Sequence, residues 1–294
     1  MQNNLKLLFA FLLVVGMVNA HAQKLPNKQD VSLRAPVNIN IDGKATEWDN
    51  KYQAFNKAVE IYYSIANDDD NLYLIIHAVK SSIIEKMMEG GISFSVNSLI
   101  NKKEKATILF PLIPIQDCRK ILHTAGKSLS EGAMSRDPES SYVNYSSSSK
   151  QLSINEGNTL LSEKSKEIKV SGMKTIIDTI PGVNPKTRYY DLLPLRFHEF
   201  QIVWLKNHDN INAATCFDKD GNYTYELSVP LKLVGLSADQ QKFIYNIVIN
   251  GRGEDHRIGN TFWYDRRSKP ERKLYQDMET PTDFSGEYTL AKKP

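Results

Sequence analysis

The sequence predicts an all-β protein, an antiparallel β-sandwich carrying one long serine-rich insertion and one or two short helices. Three observations predict it. Apolar residues recur with a period of two in run after run, clusters of Gly, Asn and Asp punctuate those runs, and a convincing helical period appears once in the first half of the chain. About ten such runs, with both halves needed to complete one core, fit a single sandwich domain better than two separate ones.

The runs come in order. Val37, Ile39 and Ile41 alternate with asparagines before the turn Asp42-Gly43, and Val59, Ile61, Tyr63 and Ile65 repeat the period before the polar turn at 67–71. Leu72 to Val79 is apolar on both faces except for His77, the pattern of a central strand covered on both sides. Within that run His77 reads as a satisfied core histidine. Ser81 to Glu89 places Ile83, Ile84, Met87 and Met88 at helical spacing and is stopped by Gly90-Gly91. Two strands follow, Ile92-Phe94-Val96 and Ala106 to Phe110, the second closed by Pro111.

From Cys118 to Ser171 the character changes. Serine supplies 13 of the 54 residues and apolar periodicity fades, which predicts a mobile insertion with short ordered pieces near Ile121-Leu122 and Ile168-Val170. Order returns with Phe200, Ile202 and Trp204, whose common phase predicts core burial of the tryptophan. Ile211 to Phe217 and Tyr223 to Val229 flank Asp220-Gly221 as a β-hairpin. In the second arm Glu226 alternates outward from Tyr225 and Leu227 and reads as a sandwich surface residue. Tyr245, Ile247 and Ile249, then Tyr288 to Leu290, supply the last strands.

Composition narrows the function classes. Lys and Arg total 37 against 34 Asp and Glu, a formal net charge of +3, so the chain lacks the strong basic excess of a phosphate-tracking nucleic-acid binder. At the N-terminus a polar segment with one lysine, an unbroken apolar stretch from Leu7 to Val18 and Ala20-His21-Ala22 have the three zones of a cleaved secretory signal. The expectation is a signal peptide over 1–22, a domain over 23–294, a secreted, periplasmic or cell-surface location, and no membrane span after cleavage. Oligomeric state has no sequence signal. Cys118 and Cys216, the only cysteines, read as two separate small apolar residues, and no CxxC, HxH or HExxH spacing offers a metal cluster.

Three islands then line up: Ile41-Asp42-Gly43-Lys44-Ala45-Thr46-Glu47-Trp48; Ile65-Ala66-Asn67-Asp68-Asp69-Asp70-Asn71-Leu72-Tyr73-Leu74; and Tyr225-Glu226-Leu227-Ser228-Val229-Pro230-Leu231. Together with Trp263 and the ending Asp283-Phe284-Ser285-Gly286, they resemble the family 9 carbohydrate-binding module and its DOMON-like relatives. The resemblance spans residues 37 to 290 in islands and omits the serine-rich insertion. It implies a β-sandwich, a saccharide partner of the kind met in polysaccharide utilisation, and a packing role for Trp48. The haem-binding relatives rely on axial Met and His, for which this chain shows no supported pair.

Sugar recognition needs an apolar face for pyranose C–H groups and planar polar side chains for the hydroxyls. The stretch from Gly251 to Arg267 supplies both. Trp263, placed where the resembling modules carry a stacking tryptophan, is the candidate platform, with Arg252 and Arg257 as donors, Glu254 and Asp265 as acceptors, and Tyr190 closing the other side. The alternative reading is a solvated charged loop with Trp263 packed on the sandwich. Carboxylates in the 67–71 turn, Asp68 and Asp70 foremost, offer oxygens to a structural calcium, although consecutive side chains diverge and an ordinary solvated turn fits as well. No Gly-x-Ser-x-Gly elbow or phosphate-cradling loop supports an enzyme. A non-catalytic carbohydrate binder is therefore expected, with a glycoside hydrolase or an adhesive surface domain as the alternatives.

Overall fold

In the computed structural model, which describes residues 24–99, 105–125, 153–173, 201–205, 210–237, 242–251, 273 and 276–293, the period-two runs become strands of two packed antiparallel sheets. One sheet orders β1 (Ala54–Asn56), β2 (Ile61–Asn67), β3 (Asn71–Ala78), β9 (Tyr223–Pro230) and β8 (Asn212–Phe217) as β1-β2-β3-β9-β8. The other orders β11 (Thr282–Thr289), β10 (Lys242–Ile249), β4 (Ile92–Ser98), β5 (Lys105–Phe110), β6 (Glu167–Ser171) and β7 (Gln201–Trp204) as β11-β10-β4-β5-β6-β7. This is the expected all-β sandwich. Both sheets draw on both halves of the chain.

Alternation along β3 and β9 places the core. Leu72, Leu74 and Ile76, with Tyr223, Tyr225, Leu227 and Val229, face the second sheet and meet Phe94, Phe110, Ile108 and Tyr245 in the main hydrophobic cluster. The hydroxyl of Tyr63 takes the Gln29 backbone N–H at 3.0 Å and lies 2.8 Å from that of Tyr245, so one polar bridge crosses between the sheets. Tyr63→Phe strands both partners, and chemical denaturation should register a loss of about 1 to 3 kcal/mol.

The opposite face of the first sheet is also covered, by a strap over residues 24–52. Ala66, Tyr73 and Ile75 pack there against Ala45 and Trp48, with Leu33, Ala35, Ile39, Ile41 and Tyr52 around them. Here one expectation is corrected: 37–41 forms no strand. Ile39 and Ile41 pack on the sheet face instead of joining the ladder at an edge, whereas Val37 is 87% exposed.

Within 118–171 the ordered pieces expected near Ile121-Leu122 and Ile168-Val170 lie on α2 (Ile115–Thr124) and β6, with α3 (Ile154–Lys164) between them; residues 126–152 lie outside the described residues. Cys118, Ile121, Leu122 and Leu161 are buried in the main cluster, and α3 opens on a capping box between Ser153 and Glu156. Asn158 of α3 uses its side-chain amide to donate to the Phe217 carbonyl and accept from the Phe217 N–H, both at 2.8 Å, which closes the edge of β8. A further short helix, α1 (Ser81–Gly90), lies between β3 and β4 in the chain. Cys118 and Cys216 are both free thiols. Among the described residues no helix is long and apolar enough to cross a membrane.

Candidate functional site

Two of the islands that carried the resemblance meet on the strapped face. Glu226 points away from the core as its phase requires, yet it is only 1% exposed because the strap crosses over it. That corrects the surface reading. Its Oε1 accepts from the Trp48 indole Nε1–H at 2.9 Å, and its Oε2 accepts from the backbone N–H groups of Gly43 at 2.9 Å and Asp42 at 3.1 Å. Burial pushes the Glu226 carboxyl up to about 7, and the nearby Asp42 carboxylate adds to the rise, against the pull of the three donors. Trp48 is 6% exposed and packs with Ala45 against Ala66, Tyr73 and Ile75. Gly43 adopts φ +82°, and a Cβ there would stand 2.5 Å from the Thr215 carbonyl carbon, so only glycine seats the strap this close to β8.

Beside this latch opens a cleft of about 900 Å³. Strand register builds its floor: Tyr73 on β3 lies opposite Ser228 on β9, and Ser228 lies opposite Asn212 on β8, giving one row across three strands. Asn71 and Pro230 form the next pair outward. One wall is the strap at Ile39, Asn40 and Ile41; the other is the turn after β9, with Leu231, Lys232, Leu236 and Ser237; Asn210, Asp69 and Asp70 complete the rim.

The floor is held rigidly. The Tyr73 hydroxyl donates to Asp68 Oδ2 at 2.6 Å, while Asp68 Oδ1 accepts from the N–H groups of Asp70 and Asn71 at 2.8 and 2.6 Å. Burial alone would raise the Asp68 carboxyl, but these donors outweigh it and hold the group below its usual range. Asp69 is paired with Arg34 at 3.0 Å and Lys293 at 3.5 Å. The acidic turn therefore spends Asp68 on capping itself and Asp69 on tying the strap and the C-terminal tail together. No group of three or more His, Cys, Asp and Glu poised for a metal occurs among the described residues. His77, half-buried, lies 3.1 Å through Nδ1 from the Thr224 hydroxyl and stacks on Tyr52, so it sits on the strapped face and not in the inter-sheet core.

Trp263, Arg252, Arg257, Glu254, Asp265 and Tyr190 all lie outside the described residues, as does the side chain of Trp204. The cleft residues were missed in the sequence because outward-facing Asn and Ser on strands carry no local signature; cross-strand register alone brings them into one row. No protein-family model, curated protein or solved structure matches this chain.

Proposed function

We propose that this chain is a secreted, non-catalytic carbohydrate-binding protein. The observation that carries the reading is the chemistry of the cleft. Four side-chain amides, Asn40, Asn71, Asn210 and Asn212, and two serines offer donors and acceptors in one concave surface, while Ile39, Ile41, Tyr73 and Leu236 supply apolar surface. A ligand dense in hydroxyls and C–H groups matches that mixture. The carboxylates on the rim, Asp69 and Asp70, are neighbours on one turn, with Asp69 already ion-paired, whereas hydrolysis of a glycosidic bond wants two carboxyl groups facing each other across it. That favours binding over cleavage. The Trp263 platform, with Arg252, Arg257, Glu254, Asp265 and Tyr190, belongs to the same proposal as a second place for the sugar, and so does export by the leader over 1–22.

A glycan array read beside a reducing-sugar release assay tests the reading. Retention without release is expected; release makes the chain an enzyme, and silence in both assays leaves a structural or adhesive surface domain. Trp263→Ala should weaken retention by about 1 to 3 kcal/mol if the sugar stacks on the loop. Loss on Asn40→Ala and Asn212→Ala instead places it in the cleft.

A further inference from the structure

On either side of residues 36–41 the strap is hydrogen-bonded to the sheet. At Leu33–Ala35 it is laced to the end of β2, with Ala35 N–H donating to the Asn67 carbonyl at 3.0 Å and Asn67 N–H to the Leu33 carbonyl at 3.1 Å. At Asp42–Trp48 it is held by the single carboxylate of Glu226. Between these points the backbone of 36–41 makes no hydrogen bond to the sheet among the described residues, and Ile39, Asn40 and Ile41 of that span are the cleft wall. Ile39 and Ile41 also pack on the sheet-face cluster of Ala66, Tyr73 and Ile75, so the wall takes its position from that packing together with the two hydrogen-bonded anchors.

We propose that Glu226 is a positioning residue for the cleft: from beneath the strap, without lining the cleft, it sets where the 39–41 wall stands and ties that position to its own protonation. The proposal rests on the preceding reading only for what the cleft holds. The sign follows from burial. Seated, the carboxylate is shielded from water and its proton affinity is raised; lifted, it is hydrated and returns toward the ordinary value of 4.5. Since the seated state binds the proton more tightly, protonation favours the seated wall, and raising the pH through about 7 favours release. The other ionisable groups around the latch are Asp42 and Lys44, paired at 2.8 Å on the strap, with Glu47 beyond them; Cys216 on β8; Asp218 at the β8–β9 turn; and Tyr52 and His77 one row along the sheet. His77, a histidine on the same sheet face, is given its own control.

The test needs no ligand. Isotope-labelled protein is titrated from pH 5 to 8.5, following the Trp48 indole N–H and the backbone amides of Ile39, Asn40 and Ile41 by NMR. The wall amides should move together with the Trp48 signal in one transition near 7, unchanged in His77→Gln and absent in Glu226→Gln. Wall amides that stay flat while Trp48 titrates, or a transition that survives Glu226→Gln, would overturn the proposal. Because Glu226→Gln can disturb the strap by itself, Trp48→Phe is the second variant: it removes one donor and leaves the carboxylate, so the wall amides should keep their transition with a displaced midpoint. Loss of the transition there would also count against Glu226. A silent glycan array refutes the carbohydrate reading and leaves this result standing.

Discussion

Glu226→Ala should destabilise the protein by about 3 to 5 kcal/mol at pH 5, the scale of leaving three buried donors without an acceptor beside a new void. The substitution strands the Trp48 indole N–H and the Gly43 and Asp42 amides, each of which has Glu226 as its acceptor. It also opens a void beneath the strap, because the side chain is 1% exposed. The cost should depend on pH in a particular direction. A carboxyl raised from 4.5 to about 7 on folding binds more protons in the native state across that window, so its contribution is full below the unfolded value and declines as pH rises toward 7. Urea denaturation should therefore show the gap between wild type and Glu226→Ala shrinking by a few kcal/mol between pH 5 and 8, since each pKa unit carries about 1.4 kcal/mol. A gap that widens with pH would mean that the three donors outweigh burial. Glu226→Gln should cost less, because it keeps the volume while turning one amide hydrogen toward a donor.

The second large effect is expected at Gly251, where the chain leaves β10 for the segment that carries Trp263. A Cβ on Gly251 would fall far inside van der Waals contact with the Glu279 carbonyl oxygen, and one on Gly90 would do the same with the Asn250 carbonyl oxygen. Asn250 locks this joint further, its backbone N–H and its side-chain amide both donating to the Gly91 carbonyl at 3.0 and 3.1 Å. Nearby, Lys86 on α1, 3% exposed, reaches Thr282 at the start of β11. Backbone meets backbone here, so no rotamer change relieves the overlap. Gly251→Ala should cost about 3 kcal/mol, the upper end of overpacking, read as a fall in melting temperature. Gly286→Ala is the milder comparison, since its Cβ would meet the Tyr245 side chain rather than backbone. Equal melting temperatures for wild type and Gly251→Ala would show that the joint yields.

How much was legible in the sequence differs by element. The alternation in β2, β4, β9 and β10 was plain because period two is local: successive side chains take opposite faces, and reading that needs no knowledge of the partner strand. The helix α1 was equally plain from its spacing and the glycine that ends it. The third helix had a signal that composition obscured, since Ser153-Ile154-Asn155-Glu156 is a capping box inside a serine-rich stretch. Serine content marked the region as unpacked. One cap and a buried Leu161 were enough to dock it.

What the sequence by itself determined is the class of fold, the course of most strands and the side of the sheet to which each residue points. Only the tertiary structure decided what lies on top of each side. Glu226 is outward by phase and buried by the strap; Tyr73, Ser228 and Asn212 are remote in sequence and neighbours by register. The physical reason is range: side-chain direction follows from backbone geometry within a few residues, whereas burial and the assembly of a cleft depend on contacts between segments nearly two hundred residues apart, as between Trp48 and Glu226.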